Sequence, residues 1–374
     1  MPEFIPLQST PPQALRLPTV DGGEYLPAAY RSVDPAARGP IATARPRNVF
    51  IEVTNHCNLL CETCPRTFVT YEQPKTLSWE GFCRIVEQFP EMERAVLHGI
   101  GEPLINKDLP RMIAHLKARG VMVLFNTNAT LLNEDWSRKL IDCGLDELRV
   151  SIDGADPKTY ALIRGAPLFH KVVRNLKRFI EIQRELDSDA PRTSLWMTGV
   201  KENIAELPGV IRLAAYIGAP EVYLQRMTYF AGETNQPGMM KEEHALFGSD
   251  DAEVDGIVAE SEALARQVGV TLRAAGATTL QHSLKGDWMP DARRPWTACM
   301  RPWTTAYITA NGNALPCCIS PFATRDYDSL KLGNVFEQPF DELWNAGRYQ
   351  HWRERLLSDR PHAACAGCGV HWSL

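Results

Sequence analysis

Between residue 47 and about 235 the apolar positions of this chain keep two alternating rhythms, and before residue 47 they keep neither. Short apolar runs at Val49–Val53, Arg94–Leu97, Met122–Phe125, Glu147–Ile152, Ser194–Val200 and Glu221–Met227 read as buried strands. Between them, apolar residues three and four apart predict helices over Ser78–Phe89, Leu109–Arg119, Trp136–Cys143, Phe169–Leu186 and Leu207–Ile217. Strand and helix in turn argue an α/β fold, a parallel sheet with crossover helices. Six such units are fewer than the eight of a closed barrel.

Outside that stretch the pattern changes. Residues 1–46 are rich in proline and arginine, which predicts an extended arm over the core or a partly disordered one, with local helix only near Pro27–Ser32. Residues 236–295 read as a connector with one amphipathic helix, Val254–Gln267, and a strand-like Val270–Ala274. In residues 296–374, Thr305–Pro316 has the form of a hairpin turning at Asn311-Gly312, and Phe340–Leu357 reads as a helix. Nothing repeats at a fixed period.

At 374 residues the chain has room for one large domain and a smaller one. A formal net charge of −5 gives no electrostatic reason to expect nucleic acid or an anionic membrane as partner. No apolar run approaches the roughly 18 to 20 residues that cross a bilayer, and Met1-Pro2-Glu3-Phe4 begins no signal peptide. Ten cysteines without a secretion signal therefore read as metal ligands in a reducing cytoplasm.

Three of these cysteines fall within eight residues, Cys57, Cys61 and Cys64, spaced C-x3-C-x2-C directly after the first strand. Iron–sulfur clusters are normally held by four thiolates, so such a triplet leaves one iron for a distant ligand or a small molecule. A zinc loop is the alternative. The next strand ends in His98-Gly99-Ile100-Gly101-Glu102, where backbone can approach a ligand because glycine lacks a Cβ. The third runs into Asn128, the fourth into Ser151 and Asp153, and Tyr160-x3-Arg164 offers a guanidinium suited to a carboxylate. Gln225 and Arg226 end the sixth strand, where a substrate-binding or proton-transfer group would stand; a salt bridge is the alternative. His98 reads as a packing residue or a ligand contact, and Cys83 and Cys143 as core.

Near the C-terminus, Cys299 is followed by twelve residues, Gly312, four more residues and Cys317; farther on come Leu332-Gly333-Asn334 and Cys365-Ala366-Gly367-Cys368. A hairpin would draw Cys299 and Cys317 together, and zinc on the four cysteines is again the alternative. Cys318 reads as packed beside the site. Trp296, Trp303, Trp344, Trp352 and Trp372 read as packing a small domain around it.

These motifs resemble the radical S-adenosylmethionine (SAM) superfamily, and the C-terminal spacing resembles its auxiliary-cluster module, called SPASM, or twitch in reduced form. The match departs at Thr63, where the family usually has an aromatic residue before the third cysteine. The resemblance implies a partial (β/α)6 TIM-like barrel with a small C-terminal iron–sulfur domain, and chemistry at the C-terminal strand ends. It implies a 4Fe–4S cluster on Cys57, Cys61 and Cys64 whose open iron SAM chelates. SAM contacts would come from Gly99, Gly101, Glu102, Asn128, Ser151, Asp153 and Arg164. One auxiliary 4Fe–4S cluster would sit on Cys299, Cys317, Cys365 and Cys368, where full modules carry seven cysteines and two clusters. A flavodoxin- or ferredoxin-type donor would supply electrons.

The implied reaction is reductive cleavage of SAM to methionine and a 5′-deoxyadenosyl radical, which takes a hydrogen atom from the substrate. No free cysteine is clearly placed to return a hydrogen, so oxidation or dehydrogenation is expected over epimerisation. Peptide-modifying relatives often carry an N-terminal leader-binding module of about 80 residues, and a 46-residue arm is too short for one. A small metabolite, a sugar or aminocyclitol, is therefore preferred to peptide cross-linking or epimerisation. The rival from another class is a non-enzymatic zinc or iron–sulfur scaffold or electron carrier.

Overall fold

The computed structural model describes residues 37–230, 236–246, 252–274, 294–323 and 326–368, with Asp34 and Leu280; the local helix expected at Pro27–Ser32 and the side chain of Trp372 lie outside them. Seven strands follow one another, each parallel to the next: β1 (Asn48–Ile51), β2 (Arg94–Val96), β3 (Met122–Thr127), β4 (Glu147–Ser151), β5 (Arg192–Gly199), β6 (Glu221–Arg226) and β7 (Thr271–Ala274). Then come β8 (Thr305–Ile308), β9 (Asn313–Leu315) and β10 (Gly333–Asn334). All ten form one sheet in the order β10-β9-β8-β1-β2-β3-β4-β5-β6-β7, which does not close on itself. This is the partial barrel, with two differences from expectation. The connector's strand is a seventh parallel strand, and the C-terminal hairpin joins the sheet by pairing β8 parallel to β1.

The crossover helices are α1 (Trp79–Val86), α2 (Leu109–Ala118), α3 (Glu134–Asp142), α4 (Pro157–Arg164), α5 (Phe169–Glu185), α6 (Leu207–Ile217) and α7 (Ala252–Val268). Several start or stop where local chemistry dictates. Ser78 caps α1 by accepting from Gly81 N, Asn133 caps α3 through Trp136 N, and Asp156 caps α4 through Lys158 N. α4 ends at Gly165 with φ at 70°, a conformation natural to glycine. α4 has no counterpart among the sequence-predicted helices because only Tyr160 and Ile163 of its eight residues are buried. The helix expected over Phe340–Leu357 is broken into Phe340–Trp344 and Gly347–Leu356.

The two faces of the sheet differ. Leu148, Val150, Leu195, Met197, Val222 and Leu224 alternate onto one face and are buried in the main core. Each such burial contributes about 1.5–3 kcal/mol. The other face carries Asn48, Arg94, Glu147, Arg149, Trp196, Glu221 and Tyr223. Here buried charge is paired: Arg149 with Glu147 at 2.8 Å, Arg273 with Glu221 at 3.0 Å, and Arg192 also with Glu221. Arg149 stands 4.4 Å over the Trp196 ring, which stacks on Tyr223 at 3.9 Å. The result is a polar, aromatic inner wall under the strand ends.

Candidate active site

β1 delivers the chain into the Cys57–Cys64 loop, and the rest of the barrel mouth clamps that loop by its backbone. His56 O accepts from Glu102 N at 2.8 Å, Cys57 O from Arg66 Nη2 at 2.5 Å, and Cys61 O from Thr67 Oγ1 at 2.8 Å. Glu62 N donates to Ile163 O, and Glu62 O accepts from Met239 N, each at 2.9 Å. A Cβ on Gly101 would run into the Thr54 and His56 carbonyls, and one on Gly165 into the Leu60 carbonyl. The need for glycine at 101 is therefore internal: what approaches it is the cysteine loop. Gly99 is likewise closed by the protein, since a Cβ there would meet the Glu52 carboxylate and the Tyr307 hydroxyl.

The three thiols lie close enough to act on one another electrostatically. Burial pushes all three upward, Cys64 to about 12. Thiols so placed stay neutral unless a cation takes their charge, which is what cluster iron does, so the donor set fits. Among the described residues no three His, Cys, Asp or Glu side chains converge as ligands of a single ion would; the thiols are drawn near one another, not onto one point.

The strand-end residues meet here, though not all in the expected posture. Asn128 is buried, with Nδ2 3.9 Å from Cys57 Sγ and 3.0 Å from Asn58 Oδ1. Arg164 places Nη1 3.9 Å from Cys61 Sγ. Ser151 is half-buried at the end of β4, beside Trp196. Asp153, expected as a cofactor contact, is fully buried, accepts from Thr198 N at 2.7 Å and pairs with Arg164 at 2.7 Å. It positions Arg164. Glu102 is occupied too, accepting from Thr127 Oγ1, Asn128 N and Leu104 N, which ties β2's exit to β3's and leaves room for one further donor.

Gln225 and Arg226 part company because neighbouring strand residues face opposite ways. Gln225 shares the inner wall with Tyr223 and pairs with Thr198 of β5. Arg226 turns to the Leu224 face, where burial lowers it to about 9, so it does not front the same space. His98 is held neutral, pushed down to about 3 by burial, and its ring lies 5.9 Å from Phe50. Cys83 and Cys143 pack against the core.

The second thiol group is assembled from three segments. Cys299 follows a short turn of helix, Cys317 follows β9, and Cys365 and Cys368 lie in and after the helix Ala363–Ala366. Cys317, Cys299 and Cys368 all act on Cys365, which burial drives well above the ordinary thiol range. Cys317 is raised to about 11 by burial and by Cys318 and Cys299, and Ser320 Oγ lies 3.2 Å from its sulfur. Soft donors drawn near one another in a dry setting again fit an iron–sulfur cluster. Trp303, Trp344 and Trp352 are buried around this half. The backbone of Phe230, just beyond β6, bridges to Cys368.

Several residues at these sites were not evident from the motifs. Glu52 lies one position past β1 and accepts from Ile100 N, Ala310 N and Tyr307 OH, joining barrel to hairpin. Arg38 reaches from the arm to the carbonyls of Thr297 and Cys299. Neither contact has a local sequence signal, because the partners are tens to hundreds of positions away.

A barrel mouth with a three-thiol exit loop, joined to a four-thiol site assembled from three segments, fits an iron–sulfur enzyme. The chain belongs to the radical SAM superfamily, in the group that carries a SPASM auxiliary-cluster domain: residues 51–214 match the superfamily model and residues 299–369 the SPASM iron–sulfur cluster-binding domain. 4Fe–4S clusters and SAM are thus its cofactors. The tungsten-containing aldehyde ferredoxin oxidoreductase cofactor-modifying protein of Pyrococcus furiosus is 22% identical over 333 residues, 86% of this chain and 87% of that protein. The PqqA peptide cyclase of Streptomyces rochei is 26% identical over 339 residues, 87% of this chain and 85% of the cyclase. Among solved structures, SuiB of Streptococcus suis bound to precursor peptide SuiA aligns with a TM-score of 0.65 at 15% identity, covering 89% of this chain and 71% of SuiB. That likeness shows the fold alone. Among the described residues no helix is long and apolar enough to cross a membrane.

Proposed function

We propose that this radical SAM enzyme oxidatively cross-links or cyclises a peptide. The reading is carried by one observation: similarity to PqqA peptide cyclases, at 25–26% identity, covers 86–87% of this chain. The preference for a small sugar-like substrate rested on the length of the arm, and it gives way to this long similarity. When bound, the cluster and SAM supply a 5′-deoxyadenosyl radical for hydrogen abstraction. Cys57, Cys61 and Cys64 would hold that cluster, and Cys299, Cys317, Cys365 and Cys368 the auxiliary one. Asn128, Ser151 and Arg164 would orient SAM, with Asp153 fixing the guanidinium. Gln225, Trp196 and Tyr223 line the wall against which a substrate would lie. A flavodoxin- or ferredoxin-type protein would donate electrons.

The test is anaerobic incubation of the cluster-loaded enzyme with SAM, reductant and short peptides encoded beside its gene, read by mass spectrometry. A peptide that loses one hydrogen pair per bond formed supports the proposal. Peptides left unchanged while a sugar or aminocyclitol is dehydrogenated would return the substrate to the small-metabolite class.

A further inference from the structure

The auxiliary thiols stand among guanidinium groups, and one of these comes from outside both family segments. Arg38 lies in the arm, ahead of residue 51 where the superfamily match begins. Its Nη1 donates to Thr297 O at 2.7 Å and to Cys299 O at 3.0 Å, and its guanidinium sits 5.3 Å over the Trp303 ring. The arm around it is fastened: Gly39 O accepts from Trp303 Nε1 at 2.8 Å, and Pro40 O from Arg353 Nη1 at 3.1 Å. Arg38 acts on Cys299 by charge. The buried Arg301 acts likewise on Cys317. Arg355, which donates to Arg360 O at 3.0 Å and Pro361 O at 2.9 Å, acts on Cys365.

We propose that Arg38, together with Arg301 and Arg355, raises the reduction potential of the auxiliary centre, which makes the arm a working part of that centre. The inference rests on Cys299, Cys317, Cys365 and Cys368 being the ligands of one auxiliary cluster. Cluster potentials follow the net charge, hydrogen bonding and solvent exposure around the sulfurs. Adding an electron to an anionic group packed against the core that holds Trp303, Trp352 and Tyr349 is costly, and fixed positive charge nearby offsets that cost. The radical-site thiols have charged neighbours of their own, Arg66 and Arg164 with the Glu102 and Asp153 carboxylates. The arginines therefore bias the auxiliary centre toward accepting an electron.

The test is an electron-paramagnetic-resonance redox titration of full-length, anaerobically loaded protein in which Cys57, Cys61 and Cys64 are alanine, so that the auxiliary signal stands alone. Arg38→Gln should move its midpoint to more negative potential, and Arg38→Lys should restore most of the shift. With the radical site intact, that site's midpoint should stay where it was. An unmoved auxiliary midpoint in loaded Arg38→Gln overturns the proposal. If that variant takes up no iron, Arg355→Gln carries the same test with the same two outcomes. Iron loss in both, rescued by neither lysine variant, assigns the arginines to structure and also overturns it. A signal that survives Cys365→Ser with Cys368→Ser shows instead that the ligand assignment is wrong, a failure distinguishable from the others.

Discussion

The two thiol groups of this molecule are built in opposite ways. Cys57, Cys61 and Cys64 share one loop, and the fold only clamps it, through Gly101, Gly165 and a few carbonyls. Cys299, Cys317 and the Cys365–Cys368 pair come from separate segments that meet only because β8 pairs with β1, Arg353 ties the helix Gly347–Leu356 to Pro302 O, and the arm lies alongside. Their electrostatic settings differ as well. Arg66 and Arg164 face Glu102 and Asp153 at the first, whereas Arg38, Arg301 and Arg355 act on the second. A local site tolerates change elsewhere, while an assembled site depends on every segment that builds it.

The bluntest way to break this contrast is to empty each site in turn. Replacing Cys57, Cys61 and Cys64 by alanine should abolish SAM cleavage and remove about half the iron, since each site would hold one cube. Replacing Cys365 and Cys368 by serine should remove the other half, leave SAM cleavage in place and leave little product. Iron analysis and 5′-deoxyadenosine release measure both. SAM turnover in the triple variant would place the radical centre elsewhere.

That contrast also explains what could be read from the sequence. The exit-loop triplet and the six strand–helix units were legible because their signals are local: spacing and apolar runs. The parallel pairing of β8 with β1 was not, since Asn48 and Thr305 are partners across most of the chain. The pairing of Asp153 was hidden for a related reason: a carboxylate at a strand end shows no partner until Arg164, on the following helix, is seen to face it. Gln225 and Arg226 were taken together because the sequence marks where a strand ends, but which of two neighbours faces inward needs the register.

A second test sharpens the radical side alone. Asp153→Asn keeps the shape but leaves the buried Arg164 guanidinium without its carboxylate at 2.7 Å. Breaking a buried pair from one side costs about 3–5 kcal/mol. Urea unfolding should show that loss, SAM affinity should fall with it, and the auxiliary resonance signal should keep its shape. Full stability in Asp153→Asn would mean that Arg164 is supported by other groups.

The smallest expected effect lies on the seam between the two halves, at Glu52. Burial raises its carboxyl from 4.5 to about 7, against the opposing bonds from Ile100 N, Ala310 N and Tyr307 OH. Between those pH values the folded chain keeps a proton that the unfolded chain has released, so stability falls as pH rises through the window and levels off above it. The loss is on the order of 3 kcal/mol, at about 1.4 per pH unit. Glu52→Gln should flatten that slope. Its amide nitrogen would also face a backbone N–H, Ala310 or Ile100, so a pH-independent penalty of about 1–3 kcal/mol should appear at every pH. Anaerobic denaturation curves between pH 4.5 and 8 separate the two terms. A slope that persists in Glu52→Gln belongs to another group. Glu102 is the first to examine, because burial raises its carboxyl as well.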